Sequence, residues 1–211
     1  MDLPEVVIGI LLAGGRSSRM GGGDKCLRPL AGRPILAHII DRLRPQVSDI
    51  VINANGDLTR FSAFDLPLIP DRLGDRAGPL AGVHAGMEWA LANRPLSRFV
   101  VTAATDTPFF PLDLVNRFCT AIEGADPRLL VARSEAGVHP VFGLWPLSLA
   151  PELEHSLNRG MRKVGDWVRQ HKAEEVSFPA IDIAGRKIDP FFNINRLDEL
   201  AEAEVLSQGS A

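Results

Sequence analysis

Val6-Val7-Ile8-Gly9-Ile10-Leu11-Leu12-Ala13-Gly14-Gly15-Arg16-Ser17-Ser18-Arg19-Met20-Gly21-Gly22-Gly23-Asp24-Lys25 is the stretch on which the fold turns. Its first seven residues are apolar, broken only by Gly9, and β-branched at the start. Such a run fits a strand buried on both faces. Five glycines then follow with two arginines and Lys25. Glycine lets a backbone bend tightly and approach a ligand closely, offering N–H groups to phosphate oxygens. Arginine and lysine neutralise what those amides cannot. In open α/β sheets ligands bind beyond the carboxyl ends of the strands, where this loop should lie. Two familiar phosphate loops are excluded. GxxxxGK[ST] fails because Cys26 follows Lys25 and the glycine spacing is wrong, and a GxGxxG frame from Gly21 ends on Cys26.

The rest of the chain alternates strand and helix. Pro34 opens an amphipathic stretch in which Ile35, Leu36, Ile39, Ile40 and Leu43 share a face. Residues 49–54 read as a second strand, stopped by Asn55-Gly56. A short strand is expected at 66–69, a helix at 79–93, a strand at 98–103, a helix at 112–122 and a strand at 129–132. Beyond these, 141–145 and 174–178 suit strands, and 147–157, 162–171 and 197–207 suit helices. That alternation implies right-handed crossovers, a mostly parallel Rossmann-like sheet and helices on both faces, a three-layer α/β/α architecture. No repeat, linker or composition shift forces a second domain, so residues 1–211 read as one.

Composition narrows the function. With 211 residues, 45% hydrophobic and 23% charged, the chain is neither disordered, collagenous nor coiled coil. The net charge of −3 disfavours nucleic acid as a partner. The charge is uneven: residues 1–45 carry seven Lys/Arg against four Asp/Glu, and the remainder 16 against 22, which suits a local anion site near the start. Two cysteines, Cys26 and Cys119, cannot make a disulfide framework or a cysteine-rich zinc site. The apolar run at 6–13 is too short to span a bilayer. Asp2 and Glu5 precede it, where a signal peptide carries positive charge. A cytoplasmic protein with no membrane partner is expected, and monomer is the default.

Four segments carry candidate chemistry beside the loop. In Thr105-Asp106-Thr107-Pro108, Asp106 follows a strand at the same sheet end as the glycine loop. It can hold Mg²⁺ between phosphate oxygens, or merely shape a turn ahead of Pro108. Asp71, after a short strand, can accept hydrogen bonds from a ribose or base, and Gly78 and Gly82 at a helix start would let a flat group approach the backbone. An ordinary Pro/Gly connection is the alternative. Asn53 has the donor and acceptor for base recognition, or caps its strand. Asn193 and Asn195, two apart, point to one side of an extended chain and can line a polar pocket, while Asn195 can instead cap the helix near residue 197. The histidines, His38, His84, His139, His155 and His171, lack zinc spacing, and only His139, before a strand, stands out. No Gly-x-Ser-x-Gly elbow exists and neither cysteine has an activating partner, which disfavours covalent catalysis.

The segment LAGGRSSRMGGGDK at 12–25 resembles the nucleotidyltransferases of glycosyltransferase-A-like fold. With NAN at 53–55, PD and GPLAG within 70–82, TDTP at 105–108 and FNIN at 192–195, the chain is similar to the molybdenum-cofactor guanylyltransferases across about residues 5–205. The resemblance implies transfer of GMP from GTP to the phosphate of molybdopterin, with pyrophosphate released. By that resemblance Leu12, Ala13 and Gly14 hold GTP through backbone, with Gly15 alongside. Lys25 meets the triphosphate, Asn53 and Asp71 the guanosine, and Asp106 both GTP and Mg²⁺. Asn193 and Asn195 lie toward the molybdopterin, so that the N-terminal half binds GTP and the C-terminal half serves the second substrate. Arg19, Lys25, loop amides and Mg²⁺ on Asp106 are the groups that would stabilise charge during transfer. Transient contact with cofactor-delivery or molybdoenzyme chaperone proteins is also implied. Cytidylyltransferases on the same pterin, or guanylyltransferases acting on another phosphate, share much of this pattern. A nucleotide-binding regulatory or chaperone module is the non-enzymatic alternative.

Overall fold

Strand β1 (Val7–Leu12) is the third strand of a seven-stranded sheet and is buried along nearly its whole length. The computed structural model describes residues 6–14, 24–72, 78–122 and 127–208. After the glycine loop, β2 (Pro29–Leu30) and β3 (Arg33–Pro34) form a small hairpin that turns through Ala31 and Gly32 at positive φ. Helix α1 (Ile35–Leu43) follows, then β4 (Asp49–Asn53), β5 (Leu68–Ile69), α2 (Pro79–Asn93), β6 (Phe99–Ala104) and α3 (Leu114–Ala121). The second half holds β7 (Leu130–Ser134), β8 (Gly137–Pro146), α4 (Ala150–Asn158), α5 (Val164–Gln170) and β9 (Glu174–Ser177). The hairpin β10 (Ile181–Ile183) with β11 (Arg186–Ile188), and α6 (Leu197–Gln208), close the chain.

The strand order is β5-β4-β1-β6-β8-β7-β9. The sheet is mostly parallel, and β8 alone runs against both of its neighbours. The reversal has a simple cause. Ser134 pairs with Gly137, so β7 and β8 are joined by a tight turn, and a connection that short returns the chain antiparallel.

Successive residues of a strand face opposite ways, and both faces of this sheet are covered. Val7 and Leu11 of β1, with Ile50, Ile52, Phe99 and Val101, pack under α1, α3 and α6. Ile8 and Ile10, with Val51 and Val100, pack under α2, α4 and α5. This gives the three layers and explains why the strands read as unbroken apolar runs. On the second face Trp145 stacks on Trp167 with ring centroids 5.5 Å apart. The Trp145 Nε1–H donates to Thr102 Oγ1 (2.8 Å), which donates to the Val141 carbonyl (2.6 Å). The buried polar groups of β6 are thus satisfied.

Some expectations shift at their edges. The third strand spans only two residues of the expected 66–69. The helix expected at 112–122 starts at Leu114 and leaves Leu112 62% exposed. The two small hairpins and the 3₁₀ turns Lys25–Leu27 and Leu58–Phe64 have no periodic signature and were not expected. Among the described residues no helix is long and apolar enough to cross a membrane.

Two glycines set how closely the helices approach β1. A Cβ on Gly9 would sit 2.7 Å from Leu43 Cδ2, and one on Gly86 would overlap the Ile10 side chain. Alanine at 86 would gain about 1 kcal/mol of helix propensity. Overpacking costs about 1–3 kcal/mol, and Ile10, fully buried, has no room to yield. Gly86→Ala is therefore expected to lower the urea midpoint, with a net loss of about 1 kcal/mol. Adding Ile10→Val, which removes the outermost clashing carbon, should recover part of it.

Candidate active site

The strand registers draw one line across the sheet. Leu12 pairs with Asn53 and with Ala104, and Asn53 pairs with Ile69. Four parallel strands therefore end side by side. The ladder runs one step further, with Ala13 N–H donating to the Asn53 carbonyl (2.8 Å) and Ala54 N–H to the Ile69 carbonyl (3.1 Å). Each chain leaves the sheet at this edge, and each carries a candidate residue just past it.

The first cluster forms beyond β6. Lys25 Nζ donates to Asp106 Oδ2 (2.5 Å) and to Asn195 Oδ1 (2.7 Å). The Lys25 and Asp106 side chains are about one-fifth exposed, at 20% and 22%. Thr107 Oγ1 lies within reach of Asp106 Oδ1 (3.2 Å) and of Asn193 Oδ1. The Ile194 N–H donates to the Asp106 carbonyl (2.8 Å), which zips residues 193–195 onto the end of β6. Asn193 and Asn195 thus face one cluster, as their spacing of two suggests. From the first turn of α6, Glu199 Oε2 reaches back to accept from the N–H groups of Asn195 and Arg196, while Asn195 Oδ1 accepts from Lys25.

Lys25 is held in place from behind. Its neighbour Cys26 is buried and hydrogen-bonds Thr105, whose Oγ1 donates to the Leu12 carbonyl (3.1 Å). Burial, with the charge of Asp24 adding to it, pushes the Cys26 thiol up to about 12. This cysteine is an anchor and no nucleophile.

The second cluster forms beyond β4 and β5. Asn53 Nδ2 donates to Asp71 Oδ1 (2.9 Å) and to the Ile69 carbonyl (3.1 Å). Asn55 Nδ2 donates to Asp71 Oδ2 (2.8 Å), and Asn55 Oδ1 accepts from the Asp71 N–H (2.9 Å). Both oxygens of Asp71 are thus held by neutral amides. Arg60 connects the clusters: it pairs with Asp24, beside Lys25, and its Nη2 donates to the Asn55 carbonyl (2.9 Å).

The glycines divide by role. Gly78 has φ +70° and ψ −176° at the start of α2, a conformation for glycine, and a Cβ there would lie 3.1 Å from the Arg162 carbonyl. Gly14 sits beside Asn53 and Asn55. Gly82 departs from the expectation of a backbone open to a flat ligand. A Cβ there would overlap Asn53 Oδ1 and the Leu12 side chain, so the space at Gly82 is filled by Asn53 itself. Gly15 and Arg19 lie outside the described residues. Sequence reasoning passed over Asn55, Thr107 and Arg60. Asn55 stands two residues after Asn53, the same spacing that singled out Asn193 and Asn195, and could have been found by it. Arg60 lies in an irregular turn and carries no such signal.

The sequence matches the MobA-like NTP transferase domain over residues 9–176. The chain belongs to this family of nucleotidyltransferases. It is 46% identical over 202 residues to a molybdenum cofactor guanylyltransferase of Bradyrhizobium sp. (strain ORS 278), covering 95% of this chain and 93% of that protein. It is 47% identical over 203 residues to one of Mesorhizobium japonicum, covering 96% of each. In fold it is similar to the crystal structure of molybdopterin-guanine dinucleotide biosynthesis protein A from Archaeoglobus fulgidus. The TM-score is 0.72 at 24% identity, over 95% of this chain and 98% of that one.

In this MobA-like domain a third cluster supports the 189–195 segment. Asp189 accepts from the Phe191 N–H (2.7 Å) and from Ser134 Oγ at the end of β7. Ser134 Oγ also meets His139 Nε2 (2.7 Å), whose ring lies 4.4 Å from that of Phe191. Burial lowers the His139 pKa from its ordinary 6.5, and the Asp189 carboxylate opposes this without overcoming it. The folded state therefore favours the neutral imidazole. Its contribution to stability is full above the unfolded value and is lost as the pH falls through 6.5 toward the lower folded value. Unfolding free energies measured in urea between pH 5 and 8 should decline on the acid side, and His139→Gln should flatten that decline.

Proposed function

We propose that the chain is a molybdenum cofactor guanylyltransferase, transferring GMP from GTP to the phosphate of molybdopterin. The observation that carries the reading is the Lys25–Asp106–Asn195 network set beside the Asn53–Asp71 clamp on one sheet edge. A cation beside a carboxylate suits a metal-bound triphosphate, and the amide-held carboxylate suits a base with hydrogen-bond donors. The names of the relatives support the choice of substrates.

In the reaction, a phosphate oxygen of molybdopterin bonds to the α-phosphorus of GTP. The bond from that phosphorus to the oxygen bridging toward the β-phosphate breaks, and its electron pair leaves with pyrophosphate. The attacking phosphate is already ionised, so no general base is required. Lys25 leaves Asp106 for the triphosphate and, with Arg19 and the loop amides beyond Ala13, whose own N–H is taken by the Asn53 carbonyl, offsets the charge that gathers on the leaving group. Asn53 and Asp71 hold the guanosine, while Gly78 serves the turn into α2 against the Arg162 carbonyl. Asn193 and Asn195 face the incoming molybdopterin, so that the two halves of one domain each serve one substrate.

Among the described residues no group of three or more His, Cys, Asp or Glu side chains could hold a metal by itself. The donor set fits Mg²⁺ in another way. Asp106 offers one anionic oxygen ligand, and Mg²⁺ commonly takes one or two carboxylates with phosphate oxygens and water completing the shell. When bound, the ion neutralises phosphate charge. The reading carries with it a monomer in a reducing, cytoplasmic setting, handing its product to partner proteins.

The decisive assay is Mg²⁺-dependent pyrophosphate release with GTP, CTP or ATP, with and without molybdopterin. Release with GTP alone, and only with the pterin, is expected. Release with CTP would overturn the base assignment, and GTP binding without release would leave a binding module. Asp106→Ala should cut turnover by about 10²- to 10³-fold, the cost of removing one electrostatic group from such a site, while the melting temperature stays near that of the unaltered protein. Lys25→Ala should act mainly by weakening triphosphate binding, seen as a raised KM for GTP.

A further inference from the structure

Asp71 stands at the end of β5, a two-residue edge strand with β4 as its one neighbour. A carboxylate in such a place has little to fix it. Asn55 supplies what the strand does not. Its Oδ1 accepts from the Asp71 backbone N–H and its Nδ2 donates to Asp71 Oδ2, so one side chain holds both backbone and carboxylate. The sense of the amide is set by these partners, since a flipped Asn55 would face donor with donor and acceptor with acceptor. Asn53 holds the other oxygen, but shares the same amino group with the Ile69 carbonyl.

We infer that Asn55 is a positioning residue for Asp71 and, through it, for selection of guanine. This rests on the reading of Asn53 and Asp71 as the base-contacting side. Each Asp71 oxygen takes one amide proton, and a carboxylate has about four acceptor positions in all. That count leaves one acceptor position on each oxygen of the carboxylate. Guanine offers two adjacent donors, the ring N1–H and the 2-amino group, which match such a pair. Adenine and cytosine place a ring acceptor beside their amino group, which a carboxylate repels. The match needs the plane of the carboxylate to be fixed. Neutral amides fix it without cancelling its charge, as a guanidinium would. The Asn55 carbonyl is itself held by Arg60, so the positioning residue is anchored in turn.

The test compares binding of GTP, ITP and pyrophosphate to the full chain by calorimetry. ITP lacks the 2-amino group, and pyrophosphate reports on the phosphate side alone. In Asn55→Ala, GTP affinity should fall by about tenfold or more, the loss expected for a hydrogen bond to a charged group. ITP should lose less, the GTP-to-ITP ratio should move toward one, and pyrophosphate affinity should hold. Asn55→Asp, of similar shape, should do the same by setting a second carboxylate against Asp71. In an Asp71→Ala background, Asn55→Ala should add nothing further, since it acts through Asp71. An unchanged ratio in both Asn55 variants, with the ratio lost in Asp71→Asn, would overturn the role of Asn55 and leave the base side standing. A ratio unchanged in Asp71→Asn would overturn the base side and this inference together. Parallel loss of GTP and pyrophosphate affinity would show a general structural role and overturn the inference alone.

Discussion

The candidate site of this protein hangs from the common finish of four parallel strands. Parallel ladders have evenly spaced bonds, so a fixed register fixes where every chain leaves the sheet. Here Leu12, Asn53, Ile69 and Ala104 fall on one line. Residues far apart in sequence then become neighbours once the segments carrying Lys25 and Asn195 are tied to that line, through Cys26 to Thr105 and through Ile194 to Asp106. Lys25, Asp106 and Asn195 come from three separate parts of the chain, and their shared cluster follows from that line.

The two clusters handle charge differently. At Lys25 and Asp106 a cation meets an anion, so neither is left alone in a half-buried place. Both side chains still reach solvent, so removing one member leaves the other hydrated and costs little stability. At Asp71 neutral amides, not a cation, hold both carboxylate oxygens. The Arg60 contacts with Asp24 and with the Asn55 carbonyl connect the two arrangements, so they are not set independently.

The central strands and the long helices were legible because burial leaves a mark on sequence. The apolar run ending at Leu12 and the proline-led helix from residue 79 are cases where hydrophobic pattern and tertiary environment agree. The β10–β11 hairpin is half-exposed, and its Ile181-Asp182-Ile183 alternation, though it rests on the core, is too short to stand out. The reversal at β8 was also hidden, since a buried strand reads the same in either direction and only the tight turn after Ser134 decides. In the site, charged and glycine-rich residues announced themselves by type and position. Asn55 did not, because an asparagine before glycine reads first as a turn residue. Gly82 misled for a related reason: sequence shows that space is needed and cannot show that Asn53 fills it.

The register has a kinetic consequence. Val7 pairs with Phe99, and Ile8 with Asp49, so β1 cannot complete either edge until distant parts of the chain arrive. Such non-local pairing slows folding, because loop closure precedes any reward from contact. The strand ends that define the site are the ends of these same pairings. A partly folded chain would hold helices and a β7–β8 hairpin, yet not the cluster of Lys25 with Asp106 and Asn195, which lie 81 and 170 residues further on. Catalytic competence in this architecture should therefore emerge in a single late step, and recovered turnover would time the closing of the sheet itself.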